Sequence, residues 1–233
     1  MILECDTSGQ KIDFDIPEKY KKIGVNCSGG ADSSILLLMV VQYLIDNNRT
    51  DTSVSVSTCS NDKKGRWNGR RAADVIEYVI NKTKFKNFDL HYTYYRDVQG
   101  EKYFHEVENK LFSDGRIDVF LSGVTSNPPL GAMASDKNNN TVYLADEMLP
   151  ERNGTDHQIW YYDNAKAFYT PFANANKKFV ATMYDTYDAS DLFDLTRSCE
   201  SIPDEGEDIS VFEKTPCGKC WWCLERKWAF GRF

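Results

Sequence analysis

The run Cys27-Ser28-Gly29-Gly30-Ala31-Asp32-Ser33-Ser34 is built from residue types that can hold a phosphate. Gly29 and Gly30 let the backbone approach an anion with no side chain in the way, so that successive N–H groups form a concave set of donors. Ser28, Ser33 and Ser34 add hydroxyls. Asp32 would be out of place beside a bare polyphosphate but fits if a Mg²⁺ ion lies between them. The bland alternative is a Ser/Gly turn with an Asp near a helix start. No Gly-Lys-Ser or Gly-Lys-Thr follows, so the run is not a Walker loop. A second group of reactive types lies near the other end, where Cys217-Gly218-Lys219-Cys220-Trp221-Trp222-Cys223 spaces three cysteines at intervals of three, with Cys199 as the natural fourth. Four thiolates around one ion make a closed structural zinc site. Similar triple spacing occurs in iron–sulfur proteins, whose fourth ligand lies downstream beside a proline rather than upstream. Zinc is therefore the expected metal, with iron–sulfur as the alternative.

These groups need a scaffold, and the hydrophobic pattern supplies one. Short strands are expected at Lys22 to Asn26, Val54 to Thr58, Asp89 to Tyr95 and Val119 to Ser122. Helices are expected at Ser33 to Asn47, Arg70 to Lys82, Glu101 to Phe112 and Asn176 to Tyr187. In the second of these, Ala73, Val75, Ile76, Val79 and Ile80 form the apolar side. A small hairpin, Ile2 to Cys5 with Lys11 to Ile16, precedes them. Strand-helix alternation of this kind implies an α/β fold, a Rossmann-like parallel sheet with helices on both faces. The phosphate-suited run then sits between the first core strand and helix, where unpaired N–H groups and a partial positive charge attract anions. Ser126 to Thr170, with Pro128-Pro129 and an Asn138-Asn139-Asn140 run, reads as long ordered loops, and Glu200 to Glu213 as an exposed acidic insertion. The expected partition is a nucleotide domain over residues 1–195 and a four-cysteine tail over 196–233.

The composition sets outer bounds. A chain of 233 residues with 41% hydrophobic content can bury one sizeable core. A formal charge of -7 argues against nucleic acid as the main partner, because phosphate gripping runs on Lys and Arg. The longest apolar run, Ile35 to Val41, is too short for a membrane span, and the first residues lack signal-peptide character. A cytoplasmic location with reduced cysteines is expected, which favours metal ligation over disulfides.

Ser28, Gly29, Gly30, Asp32 and Ser33 match the Ser-Gly-Gly-x-Asp-Ser signature of the N-type ATP pyrophosphatases, and the segment resembles their pyrophosphate loop. The resemblance implies ATP bound along Ser28, Gly29, Gly30, Ala31, Asp32, Ser33 and Ser34, with Mg²⁺ at Asp32. Gly123, beyond the carboxyl end of the fourth core strand where ligands of such sheets bind, is expected to let the nucleotide lie close to the backbone. Asp32, Ser28 and Ser33 would be the catalytic residues. Ser198-Cys199, the triple-cysteine knuckle and the following Leu224-Glu225-Arg226-Lys227-Trp228-Ala229-Phe230 together resemble the 7-cyano-7-deazaguanine synthase family. Pro171-Phe172 followed by Lys177-Lys178 is similar to the segment preceding that family's zinc site. The resemblance implies ATP-dependent activation of a heterocyclic carboxylate, attack by ammonia or an amine, and Zn²⁺ at Cys199, Cys217, Cys220 and Cys223. A homodimer is compatible with it.

The departures bear on substrate. Where the family carries a Tyr-Pro-Asp-Cys-Arg segment, this chain has Ser126-Asn127-Pro128-Pro129-Leu130-Gly131. Where it has a Gly-Gln-Arg-His loop, this chain has Trp67-Asn68-Gly69-Arg70-Arg71, and the stretch from Cys199 to Cys217 is longer than usual. A substrate held differently is expected, with Arg70, Arg71 or Arg96 as sources of the missing charge and Lys63, Lys64 and Arg66 nearby. Two other readings stay open. One is a sulfur-transfer or sulfonucleotide enzyme using Cys27 or Cys59 as its thiol. The other is a non-enzymatic nucleotide- or nucleic-acid-binding module, in which Trp221 and Trp222 could stack on a base. His91, His105 and His157 share no ligand spacing and are assigned no role.

Overall fold

The computed structural model describes residues 1–5, 8–60, 67–95, 103–129, 132–133, 152, 160–163, 165–199 and 215–233. Strands β1 (Ile2–Cys5) and β2 (Gln10–Asp13) pair antiparallel, and their alternation turns Leu3, Cys5 and Ile12 inward. The main chain of elements then runs β3 (Lys22–Asn26), α1 (Ala31–Asp46), β4 (Ser53–Ser60), α2 (Asn68–Thr83), β5 (Phe88–Tyr95), α3 (Tyr103–Ser113) and β6 (Val119–Leu121). Strands β7 (Trp160–Asp163) and β8 (Lys166–Tyr169) follow, then helices α4 (Lys177–Thr186), α5 (Ser190–Leu195) and α6 (Trp221–Phe230).

The larger sheet has six strands in the order β5-β4-β3-β6-β8-β7. All neighbours are parallel except β7, which runs antiparallel to β8 at the edge. The chain steps outward through β3, β4 and β5, then returns to place β6 on the other side of β3. Right-handed crossovers therefore put α1 and α2 on one face and α3 on the other. The side chains agree. Leu111 of α3 clusters with Ile117, Phe120 and Phe168, whereas Val119, Leu121, Ala167 and Tyr169, one residue away along β6 and β8, join the large cluster with α1 and α2. Helix α1 contacts α2, α4 and α5 as well as β3, which is why its run Ile35 to Val41 is buried all round.

Several expectations are corrected. In α2 the buried stripe is Ala72, Val75 and Val79, while Ala73 and Ile80 are exposed. Those two residues flank the stripe at helical spacing. The span from Ser126 to Thr170 holds the β7–β8 hairpin rather than loops alone. Its aromatic pairs lie directly opposite, with Trp160 stacked on Tyr169 at 4.3 Å and Tyr161 on Phe168 at 4.7 Å. The reversal uses Ala165 at φ 68°, with no glycine to signal a turn. Helix α5 also was not anticipated. Among the described residues no helix is long and apolar enough to cross a membrane. The expected acidic insertion lies outside the described residues.

Candidate active site and metal centre

Strands β3 and β6 are adjacent, yet their connections leave toward opposite edges of the sheet. Such a switch point opens a crevice beyond the carboxyl ends of the two strands, the usual ligand position in open α/β sheets. Both nucleotide-suited segments fall there: Ser28 to Ser34 after β3, and Gly123 after β6. Gly30 caps α1 with no side-chain hydrogen bond to the first turn, so that turn's N–H groups face the loop. The loop serines tie it closed. Ser28 N–H donates to Ser33 Oγ at 3.1 Å, Gly30 N–H to Ser28 Oγ at 3.3 Å, and Ser33 Oγ–H to the Gly30 carbonyl at 3.2 Å. Gly29 has φ 74°, and a Cβ there would stand 2.4 Å from Arg71 Cβ. A Cβ at Gly123 would meet the Asp32 carbonyl carbon and Ser33 N at 3.0 Å, so the close approach at Gly123 is to the first turn of α1. Ala31 and Ser34 are buried beneath the loop.

Asp32 does not stand alone. Its Oδ2 lies 3.0 Å from Lys177 Nζ, which lies 2.9 Å from Glu225 Oε2. Glu225 Oε1 accepts from Arg152 NH2 at 2.6 Å. Arg152 is anchored by the Thr125 carbonyl at 2.7 Å and the Ser126 carbonyl at 2.7 Å, and stands over the Trp221 ring at 5.0 Å. Four alternating charges from four parts of the chain thus form one buried row, in which Asp32 is the most exposed side chain at 23%. Burial pushes the Asp32 carboxyl up, Lys177 pulls it down, and Glu225 adds repulsion; the net direction is up. Burial works against the Lys177 ammonium, but the two carboxylates outweigh it and its net direction is also up. Asp32 Oδ1 is buried and has no hydrogen-bond partner among the described residues. An orphaned carboxylate oxygen beside a donor-rich loop suits a hard cation such as Mg²⁺. Lys177 was noted in the sequence only as part of a resemblance, and Arg152 and Glu225 carried no signal of this role.

The sulfur atoms of Cys199, Cys217, Cys220 and Cys223 lie within 4.8 Å of one another. The Cys217–Cys223 and Cys220–Cys199 separations are 3.9 Å and 4.0 Å. Tetrahedral zinc–thiolate bonds of about 2.3 Å place sulfurs roughly 3.8 Å apart, so the four fit a single ion. Hydrogen bonds with Cys199 and Cys220, then burial, push the Cys223 thiol far up. A cysteine ligates as its thiolate, so binding an ion here would release protons. A cavity of about 130 Å³ beside the cluster is lined by Arg71, Arg197 and Arg226. Four thiolates around a divalent ion would leave excess negative charge, which these guanidinium groups would offset.

The remaining candidates separate by position. Cys27 is fully buried, and burial pushes its thiol up; Cys59, on neighbouring β4, is half-buried. His91 shares a 2.8 Å hydrogen bond with Thr58, and burial lowers its pKa. Arg70 is exposed. Arg71 packs beneath Gly29 and donates to the Leu195 carbonyl at 3.1 Å, so it braces the loop from behind. Trp221 and Trp222 meet edge to face at 5.0 Å beneath Arg152. Lys63, Lys64, Arg66, Arg96, Leu130, Gly131 and His157, and the side chain of His105, lie outside the described residues.

No family model matches this chain, and no curated protein matches it. The solved structures that are similar in outline include the following two. One is NMN synthetase from Francisella tularensis, with TM-score 0.43 and 11% identity over 92% of this chain and 79% of that one. The other is the U34-tRNA thiolase NcsA from Methanococcus maripaludis with its 4Fe–4S cluster, with TM-score 0.45 and 12% identity over 90% of this chain and 70% of that one. Neither likeness is strong enough to carry chemistry to this chain. The site rests on its own residues.

Proposed function

We propose that this chain is an ATP-dependent adenylating enzyme of the ligase or amidotransferase type, similar to 7-cyano-7-deazaguanine synthases, acting on a heterocyclic carboxylate. The supporting observation is the Ser28–Ser34 loop at the β3/β6 switch point, with the orphaned Asp32 oxygen and the Lys177 ammonium beside it. In this reading the substrate carboxylate attacks the α-phosphate of ATP and the bond to pyrophosphate breaks. Ammonia or an amine then attacks the acyl carbon and AMP leaves, giving the amide. The loop N–H groups, the serine hydroxyls and Lys177 oppose the charge that gathers on the departing pyrophosphate, so the protein's part is electrostatic. Asp32 would hold Mg²⁺, whose positive charge would assist the same departure. Zinc at the four cysteines would be structural, since a closed thiolate site leaves no coordination position for substrate.

Sulfur transfer through Cys27 is disfavoured by its complete burial and raised pKa, because the thiolate is the nucleophile. The substrate is expected to be held differently from the family's usual acid. Of the cations that could replace the missing guanidinium, Arg70 is exposed and Arg71 braces Gly29, while the guanidinium that does reach Ser126 belongs to Arg152 and is held by Glu225. The test is pyrophosphate release with MgATP, ammonia and a panel of deazaguanine carboxylates, comparing wild type with Asp32→Asn. Release with at least one carboxylate, abolished in the folded variant, is expected; release by Asp32→Asn at the wild-type rate would refute the role of Asp32. Conversion of 7-carboxy-7-deazaguanine itself is expected to be weak. A specificity constant of about 10⁴ M⁻¹s⁻¹ or more would overturn the argument from the altered segment.

A further inference from the structure

The buried row of charges has a member whose place the phosphate loop alone does not explain. Glu225 belongs to α6, the helix that begins inside the cysteine cluster, yet its carboxylate is 0% exposed and reaches Lys177 of α4 at 2.9 Å. Lys177 is itself 2% exposed and 3.0 Å from Asp32. An ammonium held between two carboxylates is fixed in position by both and neutralises neither completely. With Glu225 absent, Lys177 would fall wholly to Asp32, quenching the charge that the orphaned Oδ1 offers to a cation, and its Nζ would lose one of the two carboxylate contacts that fix its position. Arg152 completes the arrangement from behind, since it takes the other oxygen of Glu225 at 2.6 Å and is fixed to the carbonyls following β6. The row therefore closes a circuit from the end of β6, through α6 and α4, back to the first turn of α1.

We propose that Glu225, carried by the cysteine-rich tail, is a positioning residue of the nucleotide site that holds the Lys177 ammonium at the phosphate loop and keeps Asp32 available for a cation. The proposal rests on the reading of Ser28–Ser34 as a MgATP loop, and makes the tail a working part of that site.

The experiment uses the full chain with its metal bound. Wild type, Glu225→Gln and Glu225→Asp are compared by calorimetric MgATP titration, metal content, thermal midpoint, and the rate at which an amine-acylating reagent modifies Lys177, followed by mass spectrometry. Breaking a buried charge pair on one side commonly costs enough to weaken binding about tenfold or more. Glu225→Gln is expected to bind MgATP at least about that much more weakly, to change the rate of Lys177 acylation and to retain its metal, with Glu225→Asp recovering most of the affinity. A folded, metal-bound Glu225→Gln protein with wild-type affinity and wild-type Lys177 acylation overturns the proposal, even if its midpoint is lowered. Should the single variant fail to fold, the charge-balanced pair Arg152→Gln with Glu225→Gln replaces it, and unchanged affinity and acylation there count equally against the idea. If wild type binds no MgATP, the loop reading fails by itself, and the acylation rates still decide whether Glu225 positions Lys177.

Discussion

Gly29 is fixed by two independent demands, a left-handed φ of 74° and a neighbour, Arg71 Cβ, only 2.4 Å from where its own Cβ would be. Arg71 Cβ is attached to the backbone of α2 and cannot swing away as a side-chain tip would. Left-handed backbone costs a non-glycine residue about 1–2 kcal/mol, and overpacking a tight contact costs about 1–3 kcal/mol more. Gly29→Ala is therefore expected to lower unfolding free energy by about 2–5 kcal/mol in a urea titration and to weaken MgATP binding; a loss under about 0.5 kcal/mol, the ordinary range of a surface change, would show that the loop tolerates the methyl. This residue was legible in the sequence because its role is local: a strand end, two glycines and a helix start are neighbours in the chain. The buried partners of Asp32 were not. Arg152 and Glu225 are 73 residues apart, and nothing in either neighbourhood marks a charge destined for the interior. Lys177 stood out only through the segment around it, and its pairing with Asp32 depends on how α4 crosses α1.

Period and alternation located most elements because each reports its own buried face, and β3 was legible to the residue from Lys22 to Asn26. The β7–β8 hairpin was not, since Trp160, Tyr161 and Tyr162 show no alternation of polarity and are ordered by partners on β8. Helix α3 adds a charge that its own sequence does not explain. Glu108 is 7% exposed, and burial pushes its carboxyl from 4.5 to about 7. A folded-state pKa above the unfolded value means that the native state binds this proton more tightly. Its contribution to stability is complete below pH 4.5 and is lost as pH rises through about 7. At about 1.4 kcal/mol per unit, the loss amounts to roughly 3 kcal/mol. Glu108→Gln, which stays neutral, is expected to flatten the stability profile across that window and to be the more stable protein at alkaline pH. Denaturant midpoints at acidic and alkaline pH check it: parallel profiles for the two proteins would show that Glu108 is not the group responsible.

For the molecule as a whole, the division read from the sequence at residue 195 is crossed by several direct contacts. Arg197 N–H donates to the Gly29 carbonyl at 2.9 Å, Phe230 packs against Tyr184 at 5.5 Å and Phe193 at 4.4 Å, and Glu225 enters the charge row of the loop. The cysteine cluster sits at the start of α6, with Cys220 as its N-cap and Cys223 in its first turn, so it lies at the base of the helix that carries these contacts. A bound ion would thus hold the tail against α4 and the loop together, and zinc-dependent modules draw about 10 kcal/mol or more from their metal. Cys220→Ser removes one of four ligands and exchanges a thiolate for a weakly coordinating hydroxyl. It is expected to lose its metal, to unfold at a lower temperature than wild type, and to bind MgATP more weakly because α6 no longer delivers Glu225. Metal content, thermal midpoint and MgATP titration test the chain of cause in order. Full metal content with an unchanged midpoint would remove the structural role from the cluster. Metal loss and a lowered midpoint with undiminished MgATP affinity would instead separate the tail from the nucleotide site, because the loop would then keep its geometry without the helix that now closes the circuit around it.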